Sequence, residues 1–328
     1  MSERFPAFRV FEENGTVQGR VVDQTLDDLS AGNVVIDATY SSVNYKDALA
    51  ATGAGKIIRR FPLNAGIDVA GTVASSTDEK LHAGQPVLVT GYDFGVAHDG
   101  GFARRARVPA EWVVPIPEGL SAFEAMAIGT AGFTAALSIV ELERNGLTPA
   151  SGPVIVTGAT GGVGNLAVQM LFARGYRVTA LTGKDDEHDF LRSLGAAEVL
   201  SRLGLQMGTR PLEKPLWAGA VDVVGGDTLA WLTRTMMYNG PIASSGLTGG
   251  TDLKTTVLPF ILRGVKLLGI DSAMCPMPTR VDVWRRLATD LKPGQLQRVA
   301  STIGFDGLPG AFATLLSGKA RGRYVVTV

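Results

Sequence analysis

Gly158-Ala159-Thr160-Gly161-Gly162-Val163-Gly164 is the stretch of this sequence best suited to chemistry. It follows a β-branched run, Val154 to Thr157, and opens an apolar helical stretch from about Val163. Glycines at a strand-to-helix turn let backbone N–H groups approach an anion, and the helix directs the positive end of its dipole at the same point. Among 41 glycines in 328 residues a cluster can be a plain tight turn. Its place at the first strand-to-helix junction of a βαβ pattern makes it read as a pyrophosphate cradle. The second strand ends in Thr182-Gly183-Lys184, where NAD sites carry an acid for the ribose. A hydroxyl, an ammonium and Arg202 beyond the third strand suit a 2′-phosphate instead, which points to NADPH. Asp185 and Asp186 follow at once; they either repel that phosphate or cap the next helix.

The elements that must position these residues change character near residue 128. Before it come short alternating runs, among them Val34 to Tyr40, Ile67 to Ala74, Pro86 to Val89 and Trp112 to Ile116, separated by Gly, Asn, Asp and Pro. After it, strand and helix patterns alternate: Val154 to Thr157, a helix from Val163, Arg177 to Leu181, a helix through Phe190, then Val199-Leu200. Val221 to Val224, Ile242 to Ser244 and Leu267 to Ile270 add three more buried runs. The expected class is α/β: a doubly wound parallel sheet over 128–275, and a β-rich domain from 1–127 with 276–328. A helix is expected near Val281 to Leu291, and the last run, Tyr324 to Val328, is expected to dock back into the first domain.

Composition narrows the function. Thirty-one Lys+Arg balance 31 Asp+Glu, which removes the attraction that nucleic acid or anionic lipid would need. One cysteine excludes a disulfide framework and any thiolate-rich metal site. Met1 to Val10 carries Glu3, Arg4 and Arg9 without an apolar stretch, so neither a signal peptide nor a lipidation motif is expected. The longest uncharged window, Asn145 to Ala173, is broken by Pro149, Pro153 and the cradle glycines. A cytoplasmic enzyme of small molecules, with no nucleic-acid or membrane partner, is the expectation.

Several separated motifs then carry a family likeness. Ser41-Ser42-Val43-Asn44-Tyr45-Lys46-Asp47-Ala48-Leu49, Gly66-Ile67-Asp68-Val69-Ala70-Gly71, Ile128-Gly129-Thr130-Ala131-Gly132-Phe133-Thr134-Ala135 and Pro259-Phe260-Ile261-Leu262-Arg263 occur in order along the chain. With the cofactor turn they resemble the medium-chain dehydrogenase/reductase superfamily, and within it the acrylyl-CoA reductase group, whose members are also called quinone oxidoreductases. The resemblance implies a GroES-like catalytic domain and a Rossmann cofactor domain. It places Asn44, Ile67 and Thr130 where zinc-dependent relatives hold their catalytic metal, so no metal is expected. Without a Lewis acid, oxidation of simple alcohols is disfavoured, whereas an alkene conjugated to a carbonyl is already electrophilic.

The implied reaction is NADPH-dependent reduction of acrylyl-CoA to propionyl-CoA. Alternatives are quinone reduction and a non-catalytic nucleotide-binding role. By family inference Tyr45 donates the proton or orients the substrate, helped by Asn44; the competing reading makes Tyr45 a cofactor contact. Carried over as cofactor contacts are Tyr45, Thr160, Gly161, Gly162, Val163, Thr182, Gly183, Lys184, Arg202, Leu247, Ile261 and Ser272. Relatives pair through the edge strand of the cofactor sheet, and Val265 to Ile270 is the corresponding run, so a homodimer is expected. Lys46 and Asp47 read as an ion pair at the cleft or a solvated helix start, with a structural role favoured; Asp68 reads as a backbone or helix-end hydrogen-bonding group, with a cleft role as the alternative; His98 reads as a surface or lid residue, and Cys275 as packed or incidental rather than nucleophilic. Arg59 and Arg60 are candidates for coenzyme A phosphates or ordinary exposed arginines; Arg323 and Tyr324 either return to the cleft or, the stronger reading, form a terminal strand edge.

Overall fold

The computed structural model describes residues 3–328; Met1 and Ser2, the start of the expected catalytic domain, lie outside it. The chain forms two compact units. One comprises residues up to Thr130, Ala273–Ala288 and Leu296–Val328; the other comprises Ala131–Ser272 and Thr289–Gln295. The short piece 289–295 belongs to the second unit, where Gln169 Oε1 accepts the Gln295 N–H and Asp290 pairs with Arg174.

The first unit begins with β1 (Phe5–Glu13), β2 (Thr16–Gln24) and β3 (Val34–Val43), followed by α1 (Tyr45–Thr52). It continues with β4 (Leu63–Asn64), β5 (Asp68–Ser76), β6 (Pro86–Thr90), β7 (Arg105–Val108), β8 (Val114–Pro115) and the opening residues, through Thr130, of α2 (Ala122–Arg144), which is interrupted at Gly129.

The second unit carries β9 (Val154–Thr157), α3 (Gly162–Ala173), β10 (Val178–Thr182), α4 (His188–Ser193), β11 (Glu198–Ser201), β12 (Gly219–Asp222), α5 (Gly226–Thr235), β13 (Pro241–Ser244), α6 (Leu258–Arg263) and β14 (Lys266–Gly269). The chain then returns to the first unit with α7 (Met277–Leu287), α8 (Leu296–Val299), β15 (Ala300–Ile303), α9 (Leu308–Leu316) and β16 (Arg323–Thr327).

In the first unit β3 is the organising strand. Its first half pairs β7 and its last residues pair β16 antiparallel, with Tyr324 opposite Val43 and Val326 opposite Ser41, while β5 lies along it. The sheet order is β15-β16-β3-β5-β6-β8, so β16 is an interior strand with partners on both sides rather than the expected edge. Alternation of β-branched residues buries Val34, Ile36, Val69, Val73, Val87 and Val89 in one core. A second core joins Ala48 and Ala51 of α1 to Leu308, Ala311 and Phe312 of α9. The returning segment is tied down by Arg280 of α7, a fully buried side chain that donates to Thr90 O at 2.8 Å and Ala273 O at 3.0 Å and lies over the Tyr92 ring.

The second unit's sheet is parallel, ordered β11-β10-β9-β12-β13-β14. This is the doubly wound order in which the first strand lies centrally and the connection reverses direction beside it. Val154 to Val156 and Val178 to Leu181 are buried on both faces, as continuous apolar strands covered by helices must be. Among the described residues only Ala122–Arg144 has the length and hydropathy to cross a membrane; 89% of that window is buried and Gly129 breaks it.

Candidate active site

Within the first unit, β3 delivers Ser42 and Val43 to a turn at Asn44, from which α1 starts. Asp47 folds back on that turn: its Oδ2 accepts the Asn44 N–H at 2.7 Å and its Oδ1 the Ile67 N–H at 3.0 Å. It is 1% exposed, which corrects the expectation of an ion pair or a solvated helix start. Burial, and then the neighbouring charge of Asp68, push its carboxyl up to about 7.

Asp68, also fully buried, is the centre of a network drawn from five segments. Its Oδ2 accepts from Ser42 Oγ at 2.6 Å, Asn44 Nδ2 at 2.8 Å and the Thr130 N–H at 2.9 Å; its Oδ1 accepts from Thr130 Oγ1 at 2.5 Å. Gly129 makes the last two bonds possible. Its φ of 50° breaks α2, and a methyl group there would stand 2.5 Å from Ser42 Oγ and 2.6 Å from Asp68 Oδ2.

Arg323, 280 positions along the chain from Val43, completes the network, donating to Val43 O at 3.0 Å, Ser42 Oγ at 2.9 Å, Ala127 O at 3.2 Å and Asn44 Oδ1 at 3.3 Å. Its Nη2 stands 4.0 Å from Asp68 Oδ2. Burial lowers its pKa, while the charges of Asp68 and Asp47 work in the opposite direction. The reading of Arg323 as a strand-edge residue fails because nothing in its local sequence shows that β16 enters the sheet between two strands. Tyr45, the first residue of α1, is 37% exposed, and its hydroxyl has no partner among the described residues.

These positions do not suit a zinc ion. Asn44 spends an amide N–H on Asp68 and its oxygen on Arg323, Ile67 has no lone pair to offer, and Thr130 donates its hydroxyl to Asp68. Zinc needs thiolate, imidazole or carboxylate donors. Among the described residues no three His, Cys, Asp or Glu side chains converge.

The second unit holds the glycine turn. Gly161 caps α3 in an extended conformation, its N–H donating to Gly158 O at 3.0 Å. A methyl group on Gly164 would stand 2.4 Å from that same carbonyl, so helix and turn approach as only glycine permits. Ala159 N–H donates to Leu181 O at 3.1 Å, tying the turn to β10. On the other side Thr157 Oγ1 donates to Asp222 Oδ1 at 2.7 Å and accepts the Val223 N–H. Asp222 also takes the Gly225 N–H at 2.9 Å, and burial raises its pKa. Sequence reasoning passed over Asp222 as one polar residue in an apolar strand, and that mismatch was the available signal. Thr160 is buried and Gly161 to Val163 are partly open at the head of α3, the arrangement a pyrophosphate requires.

Thr182, Gly183, Lys184 and Arg202 come together at the ends of β10 and β11. Arg202 N–H donates to Thr182 O at 2.6 Å, Lys184 N–H to Thr182 Oγ1 at 3.1 Å, and the Arg202 guanidinium lies over Gly183. That guanidinium has no hydrogen bond or ion pair among the described residues. Leu247 lies on the loop after β13, its backbone against Gly225. Ile261 is 67% exposed on α6, and Ser272 Oγ accepts from Thr134 Oγ1 at 2.7 Å; neither belongs to these two clusters.

Other candidates are otherwise engaged. Arg59 pairs with Asp93, and Arg60 with Asp99, Ser30 and Ala97 O, so both have intramolecular partners. His98 is no free lid: its ring nitrogens sit 3.1 Å from Asp99 O and 3.0 Å from Ala31 O, and the ring packs edge-on against Trp112. Cys275 is buried, as expected.

Comparison with known proteins agrees with this fold. Residues 30–118 match the alcohol dehydrogenase GroES-like domain, and residues 162–289 match the zinc-binding dehydrogenase family. YhfP of Bacillus subtilis (strain 168), provisionally named a quinone oxidoreductase, is 49% identical over 99% of both chains. The acrylyl-CoA reductase AcuI of Ruegeria pomeroyi is 47% identical, covering 97% of this chain and 96% of that one. Among solved structures, the yhdH oxidoreductase of Salmonella enterica in complex with NADP superposes with a TM-score of 0.96 at 47% identity, covering 98% of this chain and 99% of that one. Bacillus subtilis yhfP with NAD bound gives 0.97 at 48% identity, covering 100% of both. A GroES-like unit, a doubly wound unit and near-half identity across the whole length together establish that the chain belongs to the medium-chain dehydrogenase/reductase family, beside the AcuI acrylyl-CoA reductases and YhfP.

Proposed function

We propose that the protein is an NADPH-dependent, zinc-independent reductase of the activated C=C bond of acrylyl-CoA, producing propionyl-CoA. The observation that carries this reading is the commitment of Asn44 and Thr130 to Asp68. A site without a metal donor set suits a substrate whose own carbonyl already polarises the reacting bond. AcuI, an acrylyl-CoA reductase at 47% identity, supports the substrate class.

NADPH is favoured over NADH by the arginine lying over Gly183 beside Thr182 and Lys184. The Bacillus subtilis yhfP structure, by contrast, holds NAD. When bound, the nicotinamide supplies a hydride to the β-carbon. The chain's own residues hold the pyrophosphate at the head of α3, take the 2′-phosphate with Arg202 and Lys184, and deliver a proton to the α-carbon. The Tyr45 hydroxyl, exposed and unpartnered, serves as the donor, directly or through water. Asn44 meets the charge that builds on the thioester oxygen. The enzyme works as a homodimer in the cytoplasm.

The quinone oxidoreductase reading, supported by the name of YhfP, uses the same residues. NADPH oxidation followed in parallel with acrylyl-CoA, crotonyl-CoA and 1,4-benzoquinone separates the two: rapid thioester turnover is expected, and turnover with quinone alone would reject the main reading. Binding of NADPH without any turnover would instead indicate a non-catalytic role. Tyr45→Phe is expected to lower kcat by about tenfold or more while leaving NADPH affinity unchanged. A smaller loss of turnover would remove the donor role.

A further inference from the structure

Asn44 is held at both ends of its carboxamide. Nδ2 donates to Asp68 Oδ2 at 2.8 Å, and Oδ1 accepts from Arg323 Nη1 at 3.3 Å. An asparagine amide is nearly symmetric in shape, so a free one flips with little steric cost. Here a flip would set NH2 against a guanidinium and oxygen against a carboxylate, leaving like groups opposed in a buried site. The chemistry of the two partners therefore fixes one orientation. In that orientation the second amide hydrogen has only Ser42 O at 3.5 Å, too long for a strong bond, and it remains the donor with capacity to spare.

We propose that Arg323 and Asp68 clamp the Asn44 carboxamide from both sides, making Arg323 a positioning residue that presents one Asn44 N–H to the enolate oxygen. Arg323 has the means to do so. It is itself fixed by Val43 O, Ala127 O and Ser42 Oγ, and its charge polarises the Asn44 carbonyl, which strengthens the opposite N–H as a donor. Gly129 keeps the space beside its Nη2 clear, since a methyl group there would stand 2.7 Å from that nitrogen. Arg323 never touches the substrate in this account; it acts through Asn44. The inference rests on the reductase reading above.

A double-mutant cycle of Arg323→Gln and Asn44→Ala tests it, with kcat and KM for acrylyl-CoA measured separately and NADPH affinity followed by nicotinamide fluorescence. Arg323→Gln alone is expected to lower kcat about tenfold or more with KM and NADPH affinity within about twofold. In the Asn44→Ala background the same change should cost less than about threefold. Equal losses in both backgrounds would mean that Arg323 does not act through Asn44, and would overturn the clamp.

If Arg323→Gln does not fold, Asp68→Asn and Arg323→Lys enter the same cycle. The order of the Asn44 side-chain amide, measured by nitrogen-15 NMR relaxation, reads the clamp without turnover. A rigid amide in the wild type that loosens in Arg323→Lys is expected, and a mobile wild-type amide would reject the proposal. If the wild type reduces benzoquinone but not acrylyl-CoA, the reductase reading fails by itself. The cycle is then read with benzoquinone, whose reduction also builds charge on oxygen, and additivity there would again overturn the clamp.

Discussion

At the scale of single residues, two groups make claims that differ in kind. Lys184 and Arg202 concern cofactor choice. Charge-assisted hydrogen bonds contribute roughly 1.5 to 3 kcal/mol each, so replacing both by alanine should raise KM for NADPH at least tenfold and leave KM for NADH nearly unchanged in steady-state assays. Equal effects on both cofactors would contradict a 2′-phosphate role.

Asp47 concerns stability. Its carboxyl is pushed up to about 7 in the folded protein, above the unfolded value. Below about pH 4 the group is protonated in both states. As pH rises toward 7 the unfolded chain releases the proton while the folded one keeps it, so this group's contribution to stability declines and then levels off above 7. The loss is on the order of a few kcal/mol. Urea unfolding at pH 5 and pH 8 should show wild type losing ground relative to Asp47→Asn as pH rises; a constant difference would mean that Asp47 does not titrate there.

At the scale of elements, the break in α2 and the insertion of β16 do the positioning. Gly129→Ala must place a methyl group among Ser42, Asp68 and Arg323 at a backbone φ of 50° that alanine adopts poorly. A loss of roughly 2 to 4 kcal/mol is expected, visible as a lower melting temperature. An unchanged melting temperature would show that the network yields easily.

The sequence is legible where one element suffices. The glycine turn, the six parallel strands and the returning terminal strand follow from local periodicity and punctuation. The Asp68 network is not legible, because it joins Ser42, Asn44, Asp68, Thr130 and Arg323, residues whose partners are set by sheet order and by a helix break. Asp47 shows the same limit. Alanines after it mark a helix, yet only the fold shows that its carboxylate turns inward to two backbone N–H groups.

At the scale of the whole molecule, β14 ends the parallel sheet and has one strand partner, β13, among the described residues. Its Leu267 is 38% exposed. An edge of this kind fits pairing with a second copy of the chain, and Leu267→Lys should shift the mass seen by light scattering from dimer toward monomer. A dimer that persists unchanged would place the interface elsewhere.

Arg323, which completes the first unit's buried network, is synthesised after every other member of it. Until Arg323 emerges from the ribosome, Asp68 has no cationic neighbour in that network and β3 lacks one of its flanking strands. The second unit, by contrast, is nearly complete at Ser272 and wholly so at Gln295. Nascent chains stalled before residue 323 should therefore resist protease across the parallel sheet while remaining open to cleavage around Asn44.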